Sequence, residues 1–169
     1  MNYPQDLQPG DIVGFPGLAI VRWKTTGQAG HVVVYVGGGM CVTANPEAGV
    51  NNYALATQGN PVWVRRPTRP VNLDAALAWF AGMRGLPYGW DDIFADAGFE
   101  IDGKGGAMDC SHTSAAFLQK GDAPQFDPSC NLALITPAHF ESTYESYQVW
   151  RPDVRTVPAL AAGAAMLPR

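Results

Sequence analysis

An α+β domain is predicted, with a central antiparallel sheet and helices packed against it. Short apolar runs at residues 11–15, 31–36, 40–44, 61–66 and 147–150, bounded by Gly, Pro and Asn, have the length and β-branched or aromatic content of strands. Only Gly37-Gly38-Gly39 separates the second run from the third, so those two form a hairpin. Between the strands, residues 73–83 and 110–118 carry apolar residues at helical spacing behind good N-caps, Asn72 and Asp109.

The 169 residues, 47% of them apolar, suffice for one domain with a substantial core. We assign it to residues 1–152, followed by an Ala/Pro-rich tail at 153–169 that is expected to pack loosely or to serve an assembly partner. A net charge of -4 and scattered Lys and Arg residues argue against a nucleic-acid partner. Cys41, Cys110 and Cys130 are few, odd in number and without a CxxC pair, which argues against a disulfide framework and a zinc site. Neither a metal nor another cofactor is expected. The first residues lack the basic start and apolar run of a secretory signal, so synthesis in the cytoplasm is the expectation. The small-apolar stretch 157–168 is too short to span a bilayer, and no transmembrane segment is predicted.

In chain order, Pro9-Gly10 launches the first strand and Pro16-Gly17 ends it. Residues 18–23 are read as a helical turn or two, then 25–30 as a polar loop. In the strand 31–36, alternation puts His31, Val33 and Tyr35 on one face and Val32, Val34 and Val36 on the other. Residues 45–49 are a turn. Residues 50–59 are ambiguous. After the strand at 61–66 and the helix at 73–83, Gly85-Leu86-Pro87-Tyr88-Gly89-Trp90 forms a rigid aromatic turn, and 91–97 a short helix. Beyond the second helix, 121–131 is a long loop, Thr136-Pro137 opens a short helix containing His139, and 147–150 is the last strand.

The chemistry concentrates where Gly103-Lys104-Gly105-Gly106 gives way to Met108-Asp109-Cys110-Ser111. With Asp109 as N-cap, Cys110 falls at the first helical position, where unpaired N–H groups and the helix dipole favour a thiolate and can hold an oxyanion. A small buried residue capping a packed helix accounts for the same pattern. His31 is a strand-end residue that acquires a chemical role only if a reactive group faces it. His112, two residues from Cys110, lies on a different face of the helix and is expected to line a groove or face solvent.

Two blocks taken together resemble one enzyme family. Gly10-Asp11-Ile12-Val13 leading to Gly30-His31-Val32-Val33-Val34-Tyr35-Val36-Gly37, and Gly85-Leu86-Pro87-Tyr88-Gly89-Trp90 leading to Asp109-Cys110-Ser111, are similar to the GD(I/L)V…HVGIYVG and GxPYxW…DCSG blocks of NlpC-type papain-like cysteine peptidases. The histidine block precedes the cysteine block here, as in the circularly permuted branch of YiiX/YaeF-like amidases and, more distantly, the lecithin:retinol acyltransferase-like enzymes. Residues 136–140 resemble that branch's TPxDL segment.

The resemblance, over roughly residues 10–150, implies a permuted papain-like fold with Cys110 as nucleophile and His31 as its base, held as a thiolate–imidazolium pair. It aligns Thr43 with the residue that orients the imidazole, although a hydroxyl brings no charge to that position. Asn45 and Glu47 are the alternatives. Tyr88 matches a tyrosine near the oxyanion site, and Asp109, Ser111 and His112 are further oxyanion or groove candidates.

The implied activity is hydrolysis of an amide bond in a peptide or peptidoglycan stem peptide through an acyl-enzyme, in a bacteriophage virion or lysis protein. Acyl transfer on lipids or esters by the same pair is a second reading. A binding or virion-assembly module that retains the scaffold without catalysis is a third.

Overall fold

A computed structural model describes residues 4–17, 27–90 and 107–152. The readings of 18–23 and 91–97 as helical, the Gly-rich run 103–106 and the tail 153–169 lie outside the described residues. Six strands form one antiparallel sheet: β1 (Ile12–Phe15), β2 (His31–Gly37), β3 (Met40–Asn45), β4 (Gly49–Ala54), β5 (Trp63–Pro67) and β6 (Ser146–Trp150). Their order across the sheet is β4-β3-β2-β1-β5-β6. The helices among the described residues are α1 (Leu73–Met83), α2 (Cys110–Lys120) and the short α3 (Pro137–Ser142).

Alternation sorts the side chains as the sequence predicts. Val32, Val34, Val42 and Trp63 face α1 and α2, joining Phe80, Phe117 and Leu118 in the larger core. Val13, Phe15, Val33, Cys41 and Val64 face the other way and form a smaller core with Leu55. Phe80 of α1 meets Phe117 of α2 edge to face at 6.0 Å, which ties the two helices together above the sheet.

Local chemistry sets the helix starts. Asn72 Oδ1 accepts the Ala75 N–H at 3.2 Å, and Asp109 Oδ1 accepts the His112 N–H at 2.7 Å. At α3, Pro137 occupies the first turn, and His139 Nδ1 accepts the Thr136 N–H at 3.0 Å. His139 is therefore a capping residue.

The ambiguous stretch 50–59 resolves into most of β4 and a 3-10 turn, Leu55–Gln58. Its apolar alternation is weak because β4 is an edge strand with exposed Asn52 and Ala54. The start of β4 also pairs with the aromatic turn: the Val50 N–H donates to Leu86 O and the Gly85 N–H to Val50 O, both at 2.9 Å.

Polar clamps close the far edge and the first strand. Arg65 donates from Nε to Ser146 Oγ (2.9 Å), and from its terminal nitrogens to the carbonyls of Glu141 (3.0 Å), Thr143 (2.9 Å) and Ser146, joining β5 to the α3–β6 corner. Burial pulls its pKa below the ordinary guanidinium value. Arg66 grips buried Asp11 with both prongs, at 2.8 and 2.9 Å, while the Gln8 N–H donates to the same carboxylate. Asp11 is thus the latch that sets the start of β1.

Candidate active site

Cys110 is the first residue of α2, buried where the helix meets the sheet. The Val32 backbone N–H is directed at its Sγ, as are the N–H groups of Cys110 and Ser111, and Ser111 Oγ lies 3.9 Å away. Because the Val32 nitrogen is the one that links His31 to Val32, the thiol is lodged against the peptide at the start of the histidine strand. The long-range packing of α2 across β2 and β3 brings these two blocks together. Ser114 Oγ donates to Val32 O at 3.3 Å, and Thr43 Oγ1 to the same carbonyl at 2.9 Å.

The imidazole of His31, at the end of β2, shares the sheet face of Val33 and Phe15 and lies tilted to the Phe15 ring at 6.3 Å between centroids. Its Nε2 is 3.1 Å from Gln58 Oε1, an atom that also accepts from Asn45 Nδ2 at 3.5 Å. No hydrogen bond joins the thiol to the imidazole among the described residues.

Burial dominates the protonation of both groups. It pushes the Cys110 thiol above its ordinary value, against the lowering effect of the surrounding N–H groups. It lowers His31 to about 4, against opposing contributions from the Gln58 contact and the Asp109 carboxylate. The resting pair is therefore a neutral thiol and a neutral imidazole. Helix-terminal chemistry alone favours the thiolate, but desolvation is the larger effect here.

The remaining candidates fall around this centre in different roles. Asp109 is the buried N-cap, and its charge acts on His31. Ser111 is fully buried beside the thiol. His112 is half-buried on the next face of α2. Tyr88 is buried and packs edge to face on Trp90 at 5.1 Å. Its segment pairs in parallel with the residue two before Cys110, through Met108 N–H to Pro87 O (3.2 Å) and Gly89 N–H to Met108 O (3.1 Å). A cavity of about 300 Å³ opens between this turn and the β3–β4 turn, lined by Glu47, Gly49, Leu86, Tyr88 and Trp90.

For the third position, the hydrogen-bond partner of the imidazole is Gln58 and not Thr43, whose hydroxyl is taken by Val32 O. Asn45 reaches the imidazole only through Gln58, and Glu47 is exposed on the turn beyond. Sequence reasoning missed Gln58 because it follows an edge strand of weak pattern. The one available signal was Gly59, whose φ of 98° ends the turn and fixes where Gln58 sits.

The fold and site define an α+β protein with a helix-terminal thiol seated at the end of a strand that begins with histidine. No protein-family model matches the chain, and no curated protein matches it.

Proposed function

We propose that the protein is a cysteine hydrolase of the circularly permuted NlpC type, cutting an amide bond in a peptide, with peptidoglycan stem peptides as the substrate class. The observation that carries this reading is the lodging of Cys110 Sγ against the peptide that joins His31 to Val32. The helix-terminal thiol thereby meets the main chain at the histidine, while the imidazole itself lies on the Phe15 face of the sheet.

From a neutral resting pair, the chemistry is general-base catalysis. His31 takes the proton from Sγ as sulfur attacks the substrate carbonyl, which requires the imidazole to close on the thiol when substrate binds. Backbone N–H groups at the start of α2 stabilise the oxyanion. The imidazolium then returns its proton to the departing amine, and water hydrolyses the thioester with His31 again as base. The cavity beside Glu47 and Tyr88, whose turn pairs with Met108 two residues before Cys110, is the place for a flanking substrate residue.

The test is a panel of peptidoglycan stem-peptide fragments, simple amides, esters and phospholipids, read by release of amine or alcohol and by intact mass for an acyl adduct. Amide cleavage that disappears in Cys110→Ala and falls in His31→Ala, with the adduct mapped to Cys110, supports the reading. Turnover that survives Cys110→Ala overturns it, and turnover confined to esters or lipids replaces amide cleavage with acyl transfer.

A further inference from the structure

We propose that Gln58 is the positioning residue for His31, holding the ring in the tautomer that carries its proton on Nε2 and leaves Nδ1 as the base. The catalytic consequence rests on the hydrolase reading above, whereas the tautomer follows from hydrogen bonds around Gln58.

Proton bookkeeping orients the carboxamide. Thr57 Oγ1 donates its hydrogen to Ala54 O at 2.8 Å, so toward Gln58 that oxygen can only accept. The group it accepts from is Gln58 Nε2, at 3.1 Å. The other end of the carboxamide is therefore oxygen, and it faces the Asn45 amide nitrogen and His31 Nε2. An oxygen acceptor requires a donor, so His31 Nε2 bears the proton and the lone pair lies on Nδ1. Nδ1 is the ring nitrogen nearer the main chain, and Cys110 Sγ meets that main chain one residue on, at the Val32 N–H.

The turn that carries Gln58 is firmly seated. Leu55 is buried in the smaller core and its N–H donates to Gly39 O at 2.8 Å, which pins the 3-10 turn to the β2–β3 hairpin. Gln58 itself is half-buried, so its carboxamide is partly shielded from competing water.

The proton balance closes. As sulfur attacks, the Sγ–H proton moves to Nδ1, and the imidazolium keeps its Nε2–H on Gln58 Oε1, where the acceptor dipole opposes loss of that proton to solvent. Nδ1–H then goes to the leaving amine, which restores the starting tautomer. Gln58 supplies direction and a partial negative charge. The charged group among the described residues whose field reaches His31 is Asp109, at the N-cap of α2. Phe15 from β1 faces the ring, and Asn45 from β3 reaches it through Gln58, both as neutral groups.

The experiment is long-range 1H–15N NMR of histidine-labelled protein, with His31 assigned among the three histidines through His31→Asn. The wild-type protein is expected to hold the Nε2–H tautomer at neutral pH. Gln58→Leu should mix the tautomers. Gln58→Glu should restore Nε2–H and raise the His31 pKa from about 4, because a carboxylate stabilises the imidazolium that Gln58 only orients. In the cleavage assay, Gln58→Leu should lower kcat about tenfold or more with KM little changed, and Gln58→Glu should recover part of that loss.

An Nδ1–H tautomer in the wild type, or a tautomer indifferent to Gln58→Leu, overturns the assignment. The NMR arm needs no substrate. An Nε2–H tautomer that depends on Gln58, in a protein whose turnover survives Cys110→Ala, therefore supports the positioning and sinks only the hydrolase reading.

Discussion

Cys110 and Val32 meet side chain to backbone: the Val32 N–H is aimed at Sγ, while the Val32 carbonyl accepts from both Thr43 and Ser114. One strand residue thus anchors the cysteine helix and meets the thiol. The thiol's position consequently depends on the same contacts that hold α2 on the sheet.

Thiol reactivity should rank the three cysteines by environment. Cys130 is exposed, Cys110 is buried with its pKa raised, and burial pushes Cys41 up to about 12. Iodoacetamide at neutral pH should label Cys130 first, Cys110 much more slowly and Cys41 only on unfolding. Preferential labelling of Cys110 below pH 7, read by peptide mapping, would mean that the resting pair is thiolate and imidazolium.

Stability should fall in mild acid because the half-buried His31 is desolvated in a way that favours its neutral form. Its folded pKa, about 4, lies below the ordinary value of 6.5, so the unfolded chain takes up the proton first. Stability is complete above about pH 6.5 and declines as pH drops towards 4, with up to one proton absorbed on unfolding. Urea denaturation across that window should flatten in His31→Gln. An unchanged slope would place the titration elsewhere.

Glu141 links α3 to the approach to His31. Its Oε1 accepts the N–H groups of Gln28 (2.7 Å) and Ala29 (3.0 Å), three and two residues before the histidine. Glu141→Ala should cost about 2 kcal/mol, in the range for charge-assisted bonds, and Glu141→Gln noticeably less. Faster amide exchange at Gln28 and Ala29 would accompany the loss. Protection equal to wild type would mean that the loop is held by other contacts.

Asp11→Ala should be among the most damaging single changes outside the site. It leaves the Arg66 guanidinium and the Gln8 N–H without their buried acceptor, at a cost of about 3 kcal/mol. Arg66 should keep part of its solvation because it is partly exposed, and Arg66→Lys, losing the second prong, should cost less. Thermal denaturation of the two variants, compared with wild type, tests the order.

Gly49→Ala should uncouple the aromatic turn from β4. Gly49 has a φ of 65°, and a Cβ there would overlap the Leu86 carbonyl. Because residues 87–89 pair with Met108, the displacement should reach the start of α2. Altered Cys110 labelling together with a lower melting temperature is the expected result, and a variant with wild-type labelling would separate the turn from the site.

Local pattern made much of this protein legible. The N-caps at Asn72 and Asp109, the hairpin around Gly37-Gly38-Gly39 and the two faces of β2 follow from short-range sterics and hydrogen bonding, which a chain carries wherever it is placed. Gln58 was not legible, because its link to His31 spans 27 residues and depends on an edge strand whose pairing, and not its pattern, fixes where it ends. Nor was the seating of Asp11 under Arg66, which joins strands that are neighbours only in the folded sheet.

The amino-acid sequence by itself determined that Cys110 would begin a capped helix and that His31 would begin a strand, since both depend on residues within a few positions. Only the tertiary structure decided that thiol and imidazole rest neutral, and that Gln58 and not Thr43 meets the ring. Protonation and hydrogen-bond partnership are set by desolvation and by atoms brought from distant segments, and those exist only once the sheet and helices have closed around them.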